Sequence, residues 1–460
     1  KAVDSTPYWH AQELLADGRG ILVPFGDSAA TGAEIAALLA DDPRRLALRK
    51  VAYAHGRSMT WQHCAERYLA TFERAIHRHR KSLARQSEAA DPADVVRLPP
   101  RMQLSHFISM CDATGLYRHA IYSVPDRSHG YCVADNARGL LLACALNTPG
   151  EGLLPEALTA TLAAFVQQAW NPATRRFRDF MTFERRWLAA IGSEDSHGRT
   201  LWALGESACN DPNLGRRCWA AALWAEAAPI VESFQSPRAW AFTLLGLAGF
   251  RAMFPGDTRA AELQHVLADR LLSILVAVET PSWVWFQDGI FADNAQLPRA
   301  LIVTGVAVGN PTYVAAGLRS LRWITALQTA ENGFFRPVGC QSFGDLRRHP
   351  REFDQRPLEA TATLSACLAA WRADADPFWK AHAARAFEWL LGNNDLSTPL
   401  VDEGTGSCRN GLHPSRADEN MGGEAVVSYL LALAEIRGLV RSTLVHAKPA
   451  LLRALRAQAH

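Results

Sequence analysis

Gly192-Ser-Glu-Asp-Ser-His-Gly-Arg-Thr-Leu-Trp-Ala-Leu-Gly205 is the stretch whose reading decides the fold. A polar turn with Glu194, Asp195, His197 and Arg199 runs directly into an apolar helical segment. Ser196 or Asp195 can cap that helix, and Gly198 lets the backbone turn. A cap needs one short polar side chain, so four functional groups at one helix start ask for a further reason.

The same pattern, a polar loop bearing acids and then an apolar helix, occurs six times in all. Before the anchor stretch comes Tyr131-Cys-Val-Ala-Asp-Asn-Ala-Arg138. After it come Glu232-Ser-Phe-Gln-Ser-Pro-Arg238, Trp283 to Asp288 with Asp293 to Arg299, Phe353-Asp-Gln-Arg-Pro-Leu-Glu359, and Asp418-Glu-Asn-Met-Gly-Gly-Glu424. Recurrence in fixed order, roughly every 40–65 residues, marks a repeat architecture. The helices that follow are apolar nearly all round and rich in small residues, so they are expected to be buried on most faces. More amphipathic stretches alternate with them: 156–169, 216–228, 258–277, 312–327 and 379–391. Residues past about Arg437 are expected to supply the last outer helix. Six buried helices inside amphipathic ones predict a mainly α chain folded as an (α/α)6 toroid, with all six acid-bearing loops at one end. Few alternating β-branched runs are present, which argues against a large sheet.

That end should be a concave pocket with Asp135, Asp195, Asp293, Asp354, Glu359 and Glu424 on its walls. Each single aspartate can be read as a helix cap, because a helix N-terminus favours a carboxylate by about 0.3–1 kcal/mol. Capping does not explain Arg138, Arg199 and His197 one turn inside the helices. Glu359 and Glu424 read as lying within helical segments where no cap is needed. A ring of carboxylates with guanidiniums and aromatics suits glycoside chemistry, in which one carboxyl protonates the leaving oxygen and a second acts across the anomeric carbon. Asp195 is the candidate acid, with Asp354 or Asp135 as base. Tyr131, Arg138, His197, Arg199, Arg238, Trp285, Asp293, Glu359, Asn420 and Glu424 are the candidate substrate contacts. Trp283, Trp285 and Phe286 sit before an inner helix, where exposed rings could stack on sugars; Trp202, Trp219 and Trp224 fall at helical positions and read as core.

Composition narrows the class further. At 460 residues the chain is long enough for a toroid with an appendage, and its net charge of +2 points to neither nucleic acid nor an acidic membrane surface. No apolar run reaches transmembrane length, and no secretory leader pattern stands at Lys1. Nine cysteines, without CxxC spacing, read as reduced thiols, with Cys144, Cys218 and Cys367 buried, and suggest a cytoplasmic protein. His119 and His129 lie near Asp112 and Asp126, but the spacing matches no metal-ligand pattern. No metal and no cofactor are expected.

The first 80 residues resemble a known family. Tyr8-Trp-His-Ala-Gln-Glu-Leu-Leu-Ala-Asp-Gly18, Gly20-Ile-Leu-Val-Pro-Phe-Gly-Asp27, Leu38-Leu-Ala-Asp-Asp42, Met59-Thr-Trp61 and Ala65-Glu-Arg-Tyr68 look like the C-terminal tail of a retaining GT-B glycosyltransferase. The resemblance implies a small α/β remnant over residues 1–80. The paired glutamates that hold a sugar nucleotide in that family are missing, so this chain is not expected to transfer sugar itself. Residues 81–101, polar and then Pro-rich, read as a linker, and residues 102–460 as the toroid. The segments ending at Arg138, Arg199 and Glu424 resemble a domain found fused to such transferases. The toroid itself is similar in fold to inverting glycosidases, some phosphorylases and sugar 2-epimerases.

The expected function is hydrolysis of a manno- or gluco-type oligosaccharide. Within enzymes, the alternatives are phosphorolysis, with Arg138, Arg199 and Arg238 holding inorganic phosphate, and sugar epimerisation with His197 or His119 carrying the proton. A non-catalytic domain that holds glycan for a fused transferase is the alternative of another class.

Overall fold

The computed structural model describes the backbone of residues 1–73, 99–147 and 154–457, and their side chains as far as residue 442 with Ser58 excepted. Residues 81–98 of the expected linker lie outside the described residues. The chain divides into two compact units, residues 1–97 and 98–460.

In the first unit a two-residue strand, Asp4–Ser5, pairs in parallel with Ile21–Leu22. Helices Trp9–Leu14, Ser28–Ala40 and Asp42–Gly56 follow the strands, and residues 61–73 are helical. Asp27 caps the second helix by accepting from Ala30 N, and Asp41 caps the third by accepting from Arg44 N. Among the described residues of this unit the buried apolar side chains are Ala11, Val23 and Leu38, whereas Trp9, Phe25 and Trp61 are exposed.

The second unit is the (α/α)6 toroid. Its inner helices are Val133–Leu146, Glu194–Asn210, Pro237–Met253, Gln296–Val308, Pro357–Asp374 and Gly423–Ala457. Each packs on the next, and the sixth packs back on the first, which closes the ring. Outer helices Glu156–Ala169, Leu214–Ala227, Thr258–Val278, Pro311–Leu327 and Pro377–Leu390 alternate with them. Asn213, Asp257, Asn310 and Asp376 cap the last four outer helices. Among the inner ones, Ser193 and Ser236 cap the second and third through their hydroxyls. The inner helices are sheathed on every side: in Pro357–Asp374 each residue from Pro357 to Ala370 is buried.

Small residues let the second and third inner helices meet backbone to backbone. A methyl group on Gly205 would collide with the Gly246 carbonyl, and one on Gly249 would stand 2.8 Å from Gly205 O. A hairpin, Tyr117–Ile121 with Val124–Cys132, feeds the first inner helix at the loop end, and Phe180–Met181 extends it to three strands.

Two expectations change here. The helix that begins at Gly423 runs unbroken to Ala457, so no turn near Arg437 starts a separate outer helix. Cys218 is exposed on an outer helix, while Cys367 is buried and Cys144 partly so; all nine cysteines are free. Among the described residues no helix is long and apolar enough to cross a membrane.

Candidate active site

At the loop end of the ring lies a cavity of about 440 Å³. The N-terminal turns of the inner helices form its walls. Asp135, Asp195 and Glu424 each sit in the first turn of their helix, where the helix dipole favours a carboxylate. Glu359 also lies in a first turn, so neither it nor Glu424 stands mid-helix.

The floor is a layer of ion pairs across the ring axis. Arg138 and Arg199 reach inward from the first and second inner helices. Asp293, 2% exposed and in the left-handed backbone region at φ 55°, receives the Arg199 guanidinium, and Arg138 Nη2 lies 3.9 Å away. Arg199 also lies over the Phe242 ring, 4.1 Å from its centroid. Asp293 Oδ1 and Arg138 Nε are buried without a hydrogen-bond partner among the described residues. A buried polar atom left so costs about 1–3 kcal/mol.

One wall is built on Arg138. Its Nη1 donates to Asp135 Oδ1 at 2.7 Å and lies 3.4 Å from Glu424 Oε2. Two carboxylates thus share one guanidinium. Burial pushes the Asp135 carboxyl up to about 6, helped by Glu424 and opposed by Arg138. Burial also raises Glu424, but Arg138 first and then Arg356 outweigh it, and the Glu424 carboxyl ends below its ordinary value. The two carboxylates are therefore pushed apart by their settings.

Asp195 lines the cavity from the second inner helix. Its Oδ1 accepts from the Ser236 hydroxyl, and its Oδ2 accepts from Arg238 Nε at 2.7 Å. Arg238 lies over Phe291, 5.1 Å from the ring centroid. Next to Asp195, Glu194 accepts from the backbone N–H groups of Gln235 and Ser236, at 2.8 and 2.7 Å. That pair of bonds ties the second inner helix to the start of the third.

Of the thirteen residues the sequence singled out, eight line this cavity: Asp135, Arg138, Asp195, Arg199, Arg238, Asp293, Asn420 and Glu424. Asn420 spends its side chain on the scaffold, accepting from Ala120 N at 2.9 Å and bonding His119 Nδ1 at 2.8 Å. The other five are placed elsewhere. His197 is fully buried among Trp170, Phe177 and Phe234. Its Nε2 donates to Ala227 O at 3.0 Å and its Nδ1 accepts from Phe177 N, so both nitrogens are used and neither meets substrate. Burial lowers its imidazole to about 3. Trp285 is fully buried against Phe286 and Trp323, a core residue and not a sugar platform; Trp283 and Phe286 are buried with it.

Tyr131 is buried too, and its hydroxyl donates to Asp112 Oδ2 at 2.7 Å. Glu359 lies beneath the floor, accepting from Asp293 N at 2.5 Å and from the Asn294 side chain at 2.9 Å, so it shapes the turn that presents Asp293. Burial and then Asp293 push its carboxyl up to about 8. Asp354 has its oxygens occupied by Gln341 and by His413 Nδ1, the latter at 2.6 Å, and is absent from the cavity lining.

Sequence reasoning passed over Arg118, Asp179 and Arg356, which also line the cavity. Arg356 was legible, one residue before Pro357 in the fifth repeat. Arg118 lies on a strand before the first repeat and Asp179 beside a strand between the first two, where no recurring pattern marks them. His119 lines the cavity beside His129, with ring centroids 4.4 Å apart, and burial first and then His129 lower its imidazole. Among the described residues no group of three His, Cys, Asp or Glu side chains is arranged to hold a metal ion.

No family model matches the sequence, and no curated relative does either. Solved structures do match the fold. The chain is similar to a D-mannose isomerase, with a TM-score of 0.56 at 10% identity over 73% of this chain and 94% of that one. It is similar to the cellobiose 2-epimerase of Spirochaeta thermophila, with a TM-score of 0.53 at 14% identity over 72% and 91%. A GH76 alpha-mannanase of Bacteroides thetaiotaomicron gives 0.52 at 12% identity over 73% and 93%. At such identities the likeness establishes the toroid fold.

Proposed function

We propose that the toroid is a carbohydrate-active enzyme that hydrolyses a glycosidic bond in a manno- or gluco-type oligosaccharide. The observation that carries this reading is a pair of carboxylates lining one cavity, Asp135 on the first inner helix and Asp195 on the neighbouring second. Their settings differ. Asp135 is buried and pushed up to about 6, the condition a proton donor needs. Asp195 is ion-paired with Arg238 and suits the carboxylate that acts from the other side of the anomeric carbon. This exchanges the roles suggested by sequence, and it leaves out Asp354, whose oxygens are occupied. Arg138, Arg199 and Asp293 hold sugar hydroxyls from below. The names of the fold neighbours, mannanase, epimerase and isomerase, agree with a sugar as substrate.

A second reading, sugar epimerisation, is favoured by His119 alone, since its imidazole lines the cavity as a base would. Phosphorolysis through Arg138, Arg199 and Arg238 is less favoured, because each of these guanidiniums is already ion-paired. Residues 1–80 are proposed, on their sequence resemblance, to be a glycosyltransferase-type appendage without transfer activity. The nine free cysteines support a cytoplasmic setting.

The test is product release from manno- and gluco-oligosaccharides, with and without phosphate, by wild type and by Asp195→Asn. Phosphate-independent cleavage that the variant loses is the expected result. Release only with phosphate refutes hydrolysis in favour of phosphorolysis. Deuterium exchange at C2 without cleavage moves the chemistry to epimerisation. Binding without any turnover makes the domain a glycan holder.

A further inference from the structure

The charges of the cavity do not cancel locally. Five arginines line it, Arg118, Arg138, Arg199, Arg238 and Arg356, against five carboxylates, Asp135, Asp179, Asp195, Asp293 and Glu424. The pairing is uneven. Asp135 and Glu424 both lean on Arg138, Asp293 takes Arg199, and Asp195 takes Arg238. Asp179 spends one oxygen on a backbone donor, Ser193 N, at 2.7 Å.

Of the remaining two guanidiniums one has no ion pair among the described residues and the other only a long one. Among the described residues Arg118 forms no ion pair and no side-chain hydrogen bond; it lies over the Phe180 ring, 4.4 Å from its centroid. Arg356 has only a long contact, 3.9 Å to Glu424 Oε1, and its side chain is 47% exposed. Both border the start of the sixth inner helix. The Arg118 carbonyl packs against Gly422, and Arg356 reaches Glu424 from the loop before the fifth inner helix.

A neutral sugar gives a guanidinium only hydroxyl acceptors. A carboxylate, phosphate or sulfate gives it a planar or trigonal set of charged oxygens that match its fork, which is the stronger and more directional pairing. The Phe180 ring lies against the Arg118 guanidinium, and both residues line the cavity. An anion entering a cavity with five carboxylates is met best by cations that those carboxylates do not already hold closely, and Arg118 and Arg356 are such cations.

We infer that the saccharide this cavity takes is anionic, carrying a carboxylate or a phosphate or sulfate ester that Arg118 and Arg356 recognise. The inference rests on the proposed sugar-cleaving reading and names its substrate class. It also separates two sets of arginines: Arg138, Arg199 and Arg238 are each bound closely to a carboxylate, and Arg118 and Arg356, which are not, recognise the charge of the substrate.

The experiment uses the full chain and three matched oligosaccharide sets: neutral, uronate-containing, and phosphate- or sulfate-bearing. Dissociation constants are measured by calorimetry for wild type, Arg118→Gln, Arg356→Gln and the charge-keeping Arg118→Lys. Turnover is followed separately on the same sets. Wild type should prefer one acidic set over the neutral one by about 10–100-fold, the span expected of charge-assisted pairs. The preference should shrink with added salt, and in each glutamine variant the acidic-to-neutral ratio should move toward one. Arg118→Lys should keep part of it. Equal affinity for neutral and acidic sets overturns the inference, as does a preference that survives both glutamine substitutions. Cleavage of neutral sugar that requires inorganic phosphate overturns it too, since the oxyanion would then be a co-substrate. Thermal melting of each variant shows whether it is folded, and the ratio, unlike the absolute affinity, is insensitive to a partly unfolded sample. Arginine-dependent acidic preference without bond cleavage would sink the hydrolase reading and leave this inference standing. Indiscriminate cleavage would do the reverse.

Discussion

Replacing Asp135 by Asn keeps the shape of the side chain and an oxygen for Arg138 Nη1, now 2.7 Å away, but removes the proton that a general acid must give. The carboxyl titrates at about 6 instead of its ordinary 3.8. At pH 7 about one molecule in ten then carries the proton, against fewer than about one in a thousand for an ordinary aspartate. Wild-type kcat/KM should fall about tenfold per pH unit above 6, and the variant should lose that limb. With a sugar as leaving group the loss should reach about 10²–10⁴-fold. With a nitrophenolate leaving group, which needs little protonation, it should stay below about tenfold.

The same shift has a stability consequence whose sign is set by linkage. The folded protein holds this proton more tightly than the unfolded chain, so the contribution is complete below pH 3.8 and is lost as pH rises through about 6. Its size is roughly 3 kcal/mol, from about 1.4 kcal/mol per pH unit. Urea unfolding between pH 4 and 7 should show this component in wild type and not in Asp135→Asn. Equal losses on both leaving groups, or an unchanged alkaline limb in the variant, would show that Asp135 merely positions Arg138.

Three further outcomes are expected. His197→Ala leaves Phe177 N–H without its partner and removes one donor from Ala227 C=O inside an aromatic pocket, so urea unfolding should register a loss of about 2–4 kcal/mol, while the folded fraction retains its pH–rate profile. Because burial holds this imidazole at about 3, its contribution to stability is present above pH 6.5 and declines as pH falls toward 3, the opposite direction to Asp135. Trp285→Ala should cost about 3–5 kcal/mol in unfolding free energy with unchanged saccharide affinity in the folded protein; a selective affinity loss would restore it as a sugar platform. Gly205→Ala drives a methyl group into the Gly246 carbonyl and must separate two inner helices, so a thermal midpoint within a degree or two of wild type would contradict this packing.

The repeat was legible because each unit is a local object: a polar loop, a first turn that favours acids, then an apolar helix. Those signals lie within a dozen residues of one another, and they were enough for the toroid, the positions of the inner helices and the end where the acids gather. The errors share one origin. Asp195 and Arg199 are four residues apart and fall on one helix face, whereas His197, two residues from each, is turned about 200° away and meets the outer wall. Trp285 lies in a loop with no period to orient it, so only packing against Trp323 reveals it as core.

Sequence by itself determined which helices surround the axis and which residue types stand at their starts, since helix propensity, capping and amphipathicity act over one or two turns. Only the tertiary structure decided which groups share the cavity and which partner each one has. Arg138 with Glu424, Arg199 with Asp293, and Arg118, which has no ion pair among the described residues, involve groups dozens to hundreds of residues apart along the chain or on a hairpin outside the repeat. Burial and charge act through space, not along the chain, and the closed ring brings those distant groups within ångströms of one another.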